Sequence, residues 1–336
     1  MPLSAIIRAR AAFRKRFFMI ISCGEALIDF VPAHTEGGDA AYVPAVGGSP
    51  YNIAITMGRL GAPAGFLGGI STDFFGDQLI AGLRHSQVDT TLVRRLDRPS
   101  TLAFVSLGDG EPQYVFYDRE AAHRFWDPPP GFILPEAVRA LHFGSISLFG
   151  EPGADRFAAL MAQQKGRRLL SLDPNIRPGM IEAEGPYRQR LEAMLRLADV
   201  IKVSAADLDW LAPGRTHESI AADWLRQGTA LVVVTLGGEG AAAFRSGGSL
   251  RCPAEPVSVV DTVGAGDTFM GGLLAAMARI DCLNASALAA LPDEVLRALI
   301  GVAIQAAGIT CGRRGANPPW SDELPALQRL APGPTA

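Results

Sequence analysis

Lysine is scarce in this chain. Of 336 residues only Lys15, Lys165 and Lys202 are lysine. None follows a glycine, so the GxxxxGK[ST] phosphate loop is excluded, and any nucleotide would have to be held by backbone amides, arginine or metal. Cysteine is scarce too. Cys23, Cys252, Cys282 and Cys311 lie far apart and form no CxxC pair, which excludes a zinc framework or a disulfide-built secreted scaffold and suits a reduced cytoplasm. No apolar run reaches 18 unbroken residues, so nothing reads as membrane-spanning. A charge excess is also missing: 31 Lys and Arg against 34 Asp and Glu leave −3, which argues against nucleic-acid or polybasic membrane partners. At 48% apolar and 19% charged residues the composition is that of a folded core. The length suits two domains, or one large α/β unit with a small appendage.

Residues 1–18 carry Arg8, Arg10, Arg14, Lys15 and Arg16 among short apolar pieces. A signal peptide needs a continuous apolar segment after its basic region, so this stretch reads as an extension or a mis-started end, followed by Met19 before a strand-like run. From there, apolar runs at 20–24, 65–69, 140–145, 168–173, 199–203 and 230–235 alternate with helical patterns at 50–60, 75–86, 153–165, 186–197 and 217–227. This alternation predicts a mostly parallel sheet with helices on both faces. Two pieces break it: an extended polar stretch at 30–45, and strands at 101–108 and 113–117 around the turn pair Asp109–Gly110. They predict a small antiparallel flap. No internal repeat or low-complexity tract is present, and 331–336 reads as a tail.

The most informative segment is VVDTVGAGDTFMGGLLAAM (259–277). Its small residues Gly264, Ala265 and Gly266 permit close backbone approach just where a helix begins, and a helix N-terminus attracts anions. Asp267 stands at that start, as a helix cap or as a reactive carboxylate. In AVGGSPYNIAITMGRLGA (45–62), Ser49 fits an N-cap, Pro50 the first helical position and Gly61 the position after the end. Gly47, Gly48 and Asn52 are left for a hydroxyl-rich ligand, although a surface Asn52 explains the residue equally well. In SLDPNIRPGM (171–180), Asp173, Asn175 and Arg177 alternate after an apolar strand, which would put them on one side of an extended segment at the carboxyl edge of the sheet, where α/β ligands bind. Ser204 and Asp207 open the next helix. Thr235, Gly237 and Gly240 follow another strand. Asp29 ends the first strand, as an acceptor for two hydroxyls or as a turn residue.

GGSPYNIAITMGRLG with FLGGISTDFFGDQL, and DTVGAGDTFMGGLLAAM, resemble the two signatures of the ribokinase/PfkB carbohydrate kinase family. The likeness runs over nearly all of 19–330. Within the family the sequence is most similar to bacterial fructokinases, through GEALIDFVP, GGISTDFFGD, RPSTLAFVSL, FYDREAAHR and LDPNIRPGM. The resemblance implies a ribokinase-like α/β fold with a mostly parallel central sheet, helices on both faces and a small β lid from about 30–45 and 100–118. It implies ATP-dependent phosphorylation of a sugar hydroxyl, fructose first, with a 2-keto-3-deoxygluconate kinase or a ribokinase as alternatives; a non-catalytic sugar- or nucleotide-binding regulator is the alternative of another class.

Carried over by position, the resemblance makes Asp267 the base and the amides of Gly264, Ala265 and Gly266 the anion hole. Asp29, Gly47, Gly48, Asn52 and Arg177 would hold the sugar, with Phe104 and Phe116 over it. Lys202, Ser204, Asp207, Thr235, Gly237 and Gly240 would border ATP. The family's NxxE element, which places Mg²⁺ through water, reads SxxD here at Ser204 and Asp207. The carbonyls of Asp261, Val263, Thr310, Arg313 and Gly315 match a K⁺ loop, in which Pro319 replaces a frequent serine. The implied partners are a small sugar and a second copy of the chain bound through the lid.

Overall fold

The uninterrupted apolar runs do form a sheet buried on both faces. The computed structural model describes residues 18–106 and 113–330; residues 1–17 of the extension expected at 1–18, the Asp109–Gly110 turn and the tail lie outside them. The strands are β1 (Met19–Cys23), β2 (Leu27–His34), β3 (Ala40–Gly47), β4 (Ala64–Ser71), β5 (Val93–Leu96), β6 (Thr101–Ser106), β7 (Gln113–Tyr117), β8 (Val138–Gly144), β9 (Leu169–Asp173), β10 (Val200–Ser204), β11 (Leu231–Thr235), β12 (Ala241–Arg245) and β13 (Gly248–Cys252). The helices are α1 (Ser49–Arg59), α2 (Phe74–His85), α3 (Gly153–Gln164), α4 (Glu184–Leu197), α5 (Ala205–Leu211), α6 (His217–Arg226), α7 (Ala265–Arg279), α8 (Ala285–Ala289), α9 (Asp293–Cys311) and α10 (Pro325–Arg329).

The large sheet runs β13-β12-β11-β10-β9-β8-β1-β4-β5. It is parallel from β11 to β5, and antiparallel only where β12 and β13 close one edge. Side chains alternate between faces. Ile20 and Phe66 therefore pack with Ile53 and Met57 of α1 and Phe269 and Leu273 of α7, while Ile21 and Leu67 pack with Phe157 of α3, Leu191 of α4 and Trp224 of α6. Leu273 is wholly buried, and its truncation to Ala would cost about 2–5 kcal/mol. Helix α9 has the length and mean hydropathy (1.5) of a membrane span, but it packs on α7 with Leu296, Leu299, Ile300 and Val302 in the core.

A second sheet, β3-β2-β6-β7, forms the lid. It is mixed, not purely antiparallel as the sequence suggested: β2 pairs parallel with β6. The chain between them passes through β3, α1, β4, α2 and β5, and a long crossover is what a parallel pair requires. Only Gly24–Ala26 separate β1 from β2, and only Gly48 separates β3 from α1.

Candidate active site

Strands β9, β10 and β11 end side by side. Gly144 pairs with Asp173, and Ser204 with Thr235. The N-terminus of α7 reaches the same edge: a Cβ on Gly266 would lie 3.1 Å from Lys202 Nζ. Asp267, in the first turn of α7, is 9% exposed. Its Oδ1 accepts from Ser49 Oγ at 2.6 Å and its Oδ2 from Asn52 Nδ2 at 2.8 Å. It does not cap its helix, since the N-cap is Gly264, with φ 75° and no side-chain capping bond. Ser49 and Asn52, three residues apart, share one face of α1. The expectation of Ser49 as an N-cap is therefore corrected: it is the first helical residue, and its hydroxyl leaves the backbone for Asp267. The Asn52 amide nitrogen is likewise committed to Asp267. An ionised carboxylate held at both oxygens still has lone pairs to receive a hydroxyl proton.

The lid faces this carboxylate. Asp29 is the third residue of β2, not the end of the first strand, because β1 stops at Cys23 and the chain turns into the lid. Burial pushes the Asp29 carboxyl up to about 7; the charge of Asp267 pushes the same way and Arg177 opposes it. Asp267 and Arg177 therefore both lie within electrostatic reach of Asp29. Gly47, paired with Leu27 and diagonal to Asp29 on the same face, makes room for it, since a Cβ there would collide with Asp29 Oδ2. Gly48 has φ 104°, and a Cβ would sit 2.9 Å from the Glu25 carbonyl oxygen, so this position excludes other residues.

The two lid phenylalanines part company. Asp29 pairs with Ala103, and Ala103 with Phe116, so Phe116 shares the Asp29 face, near Leu27, Ile146 and Met180. Phe104 follows Ala103 and points the other way, stacked on Phe30 at 4.6 Å with Tyr42 and Tyr117 against it. The expected placement of Phe104 over the sugar is corrected by this register.

Beneath the site, Lys202 Nζ meets Asp173 Oδ2 at 2.7 Å, both groups almost fully buried. Burial lifts the Asp173 carboxyl to about 6 against the pull of Lys202, while the surrounding Asp173, Asp207 and Asp267 overcome burial and hold Lys202 above its ordinary value. The expected alternation of Asp173, Asn175 and Arg177 fails, because Asn175 takes a left-handed φ of 40° and a 3₁₀ turn follows at Pro178–Met180. Arg177 is exposed and donates to the carbonyl of Ile176.

Asp207 forms a capping box with Ser204, and its Oδ1 accepts from the Ile176 N–H at 2.9 Å. Both its oxygens are engaged, and among the described residues no cluster of three metal-ligating side chains exists. The donor set fits Mg²⁺ only in the sparse manner of nucleotide sites, where water and phosphates supply most ligands.

Of the three amides expected to face an anion, that of Ala265 donates instead to the Thr262 carbonyl at 3.2 Å, a correction for that position; Gly266 is exposed and Gly264 half-buried. Gly237 and Gly240 flank a 3₁₀ turn after Thr235 with φ of 58° and 95°. The expected cation segments do meet: Asp261 Oδ2 accepts from the Gly315 N–H at 2.8 Å, and the Cys311 carbonyl accepts from the N–H groups of Val260 and Asp261. The carbonyls of Thr310 and Gly315 each accept one backbone N–H, from Arg313 and Asn317. Glu25 escaped the sequence reading. The one signal was a charged residue inside an otherwise apolar strand–hinge run. Beside Phe116 a cavity of about 630 Å³ opens toward Arg119, Met180 and Glu182. Both of its arginines are paired with carboxylates, Arg124 on Asp118 at 2.8 Å and Arg119 on Glu182 at 3.5 Å.

A carboxylate at a glycine-rich helix start, on the carboxyl edge of an α/β sheet and under a β lid, defines the class of lidded sugar phosphotransferases. The model of the pfkB family carbohydrate kinases matches residues 18–323, and the chain belongs to that family. It is 42% identical over 279 residues to a fructokinase of Rhizobium leguminosarum bv. trifolii, covering 83% of this chain and 86% of that one. The fructokinase of Xylella fastidiosa, solved with bound ATP, superposes with a TM-score of 0.83 at 28% identity, covering 92% of this chain and 98% of that one. The fructokinase of Vibrio cholerae O395, solved with fructose, ADP and calcium ion, gives 0.77 at 25% identity, covering 90% and 95%; a double mutant of it holds fructose, ADP and potassium ion.

Proposed function

We propose that this carbohydrate kinase transfers the γ-phosphoryl group of ATP to D-fructose, with Asp267 as the base. The observation that carries the reading is the clasp of Ser49 and Asn52 on Asp267, at the mouth of α7 and facing Asp29. Asp29 and the Gly47–Gly48 backbone hold sugar hydroxyls, which brings one hydroxyl to Asp267. Asp267 takes its proton as the oxygen attacks the γ-phosphorus, and positioning supplies much of the rate. The amides of Gly264 and Gly266 and the buried Lys202 cation receive the charge that develops on the phosphoryl oxygens. Thr235, Gly237 and Gly240 border the nucleotide. Asp207 would orient Mg²⁺ through water, and the ion would supply charge neutralisation on the phosphates; the carbonyls of the 261–263 and 310–315 segments would hold K⁺ and so steady the turn into Gly264.

A neutral sugar fits better than a sugar acid, because Arg119 and Arg124 beside the Phe116 face are already paired with carboxylates, and Arg177, the cation left near the site, stands close to the carboxyl of Asp29, which an acid would have to approach as well. The outer lid face exposes Tyr42, Tyr117, Val46 and Val115, next to Phe74; such a patch suits burial against a second copy of the lid. The four free thiols fit a reducing cytoplasm. The test is ADP release at saturating Mg-ATP across fructose, ribose and 2-keto-3-deoxygluconate. Fructose should give the highest kcat/KM. A tenfold preference for the acid, about 1.4 kcal/mol of transition-state binding, would overturn the substrate, and binding without ADP release would overturn the kinase.

A further inference from the structure

We propose that Glu25 is a positioning residue that, acting through Ser49, fixes the catalytic carboxylate to the hinge of the lid; the proposal rests on Asp267 being the base. Glu25 lies in the three-residue link Gly24–Ala26 between β1 and lid strand β2 and is 1% exposed. A carboxylate removed from water is costly unless its oxygens are satisfied, and among the described residues no ion pair reaches it. Its partners are uncharged donors on two other segments. Oε1 accepts from the Ser49 N–H at 3.2 Å. Oε2 accepts from the Ser147 N–H at 3.1 Å and from the Ser147 hydroxyl, and that hydroxyl accepts the Glu25 N–H at 2.8 Å. The hinge, the first residue of α1 and the turn after β8 thus meet at one side chain. It stands where the positive end of the α1 dipole favours negative charge.

Ser49 is also the residue whose hydroxyl holds Asp267 Oδ1, and Asn52, one turn on, holds Oδ2. Anchoring the Ser49 backbone therefore fixes both donors of the clasp. As a mere space-filler, a buried glutamate would serve worse than glutamine or methionine. Its use as an anchor explains the burial: a carboxylate takes three donors at once, whereas an amide would turn its NH₂ toward one of them. Burial drives the Glu25 carboxyl up to about 7, with the serine bonds pulling it back.

The experiment compares Glu25→Gln, Ser49→Ala and the double variant in steady-state ADP release, alongside Asp267→Asn. Weakening one bond to a charged group should lower kcat by about tenfold or more in each single variant, with KM for ATP within about twofold. The double variant should lose less than the product of the singles, because both weaken the Ser49 donor and only the hold on Asn52 is separate. Glu25→Gln with wild-type kcat, or effects that multiply, would overturn the positioning role. If Glu25→Gln does not fold, Glu25→Asp, which keeps the charge but shortens the reach to the Ser49 N–H, is judged by the same criterion. Full turnover in Asp267→Asn would overturn the base itself, separately from Glu25.

Discussion

Asp267→Asn isolates proton acceptance from everything else the residue does. The amide keeps the volume and one acceptor oxygen, which can stay on Asn52 Nδ2, while the Ser49 hydroxyl can rotate to accept from the new NH₂. Two charge-assisted bonds become neutral ones, so folding should lose only about 1 kcal/mol. The loss in rate is of another order. A positioned base contributes about 10²–10⁴-fold, equivalent to about 3–5 kcal/mol, and kcat should fall by that range. Sugar binding should move the other way. The charge of Asp267 helps hold the Asp29 carboxyl near 7, so removing it lets Asp29 ionise at lower pH and keeps or strengthens fructose affinity below neutrality. The assay is ADP release with fructose and ATP each varied, paired with calorimetric titration of fructose at pH 6. A variant with kcat within tenfold of wild type would refute the argument, and so would one that loses fructose binding along with turnover.

Three further outcomes follow from the same geometry. Asp29 accepts hydroxyls best when ionised, so KM for fructose should fall as pH rises through about 7, and Asp29→Asn should flatten that response. Both Asp29 and Glu25 are raised on folding, so their contribution to stability is complete below about pH 4 and is lost as pH rises through 7; Tm should decline with pH more steeply in wild type than in Glu25→Gln, and equal slopes would refute the burial argument. Finally, replacing K⁺ by tetramethylammonium at constant ionic strength should lower kcat, because 261–263 leads directly into Gly264 and 310–315 leads into Ala316, which packs against that glycine; unchanged kinetics would mean that the Asp261–Gly315 bond holds the turn unaided.

Much of the architecture was legible because strands buried on both faces read as bare apolar runs. The helix expected at 153–165 spans Gly153–Gln164, and the strand expected at 230–235 spans Leu231–Thr235. What escaped depends on pairing between distant segments. Period-two alternation separates Phe104 from Ala103 but cannot say which of them faces Asp29, and the β2–β6 register decides that. Ser49 looked like a cap because its natural acceptor, Asp267, lies 218 residues away. Asn175 broke the alternation because asparagine tolerates left-handed backbone more readily than most residues. Gly47, Gly48, Gly264, Gly266 and Asp267 were visible from their own neighbourhoods; their mutual geometry was not.

The junction of β3 and α1 has a consequence for redesign. Gly48 alone joins a lid strand paired with the one that carries Asp29 to a helix that carries both donors for Asp267. One inserted residue would advance the helix by about 100° and swing Ser49 and Asn52 off that carboxylate together. The far end of the same hairpin is exposed and turns through Thr35–Asp39, remote from every group in the site. Grafted loops or affinity tags belong at that tip, where length is free; at Gly48 the spacing acts as a ruler, and altered specificity has to come from substitutions that keep the count.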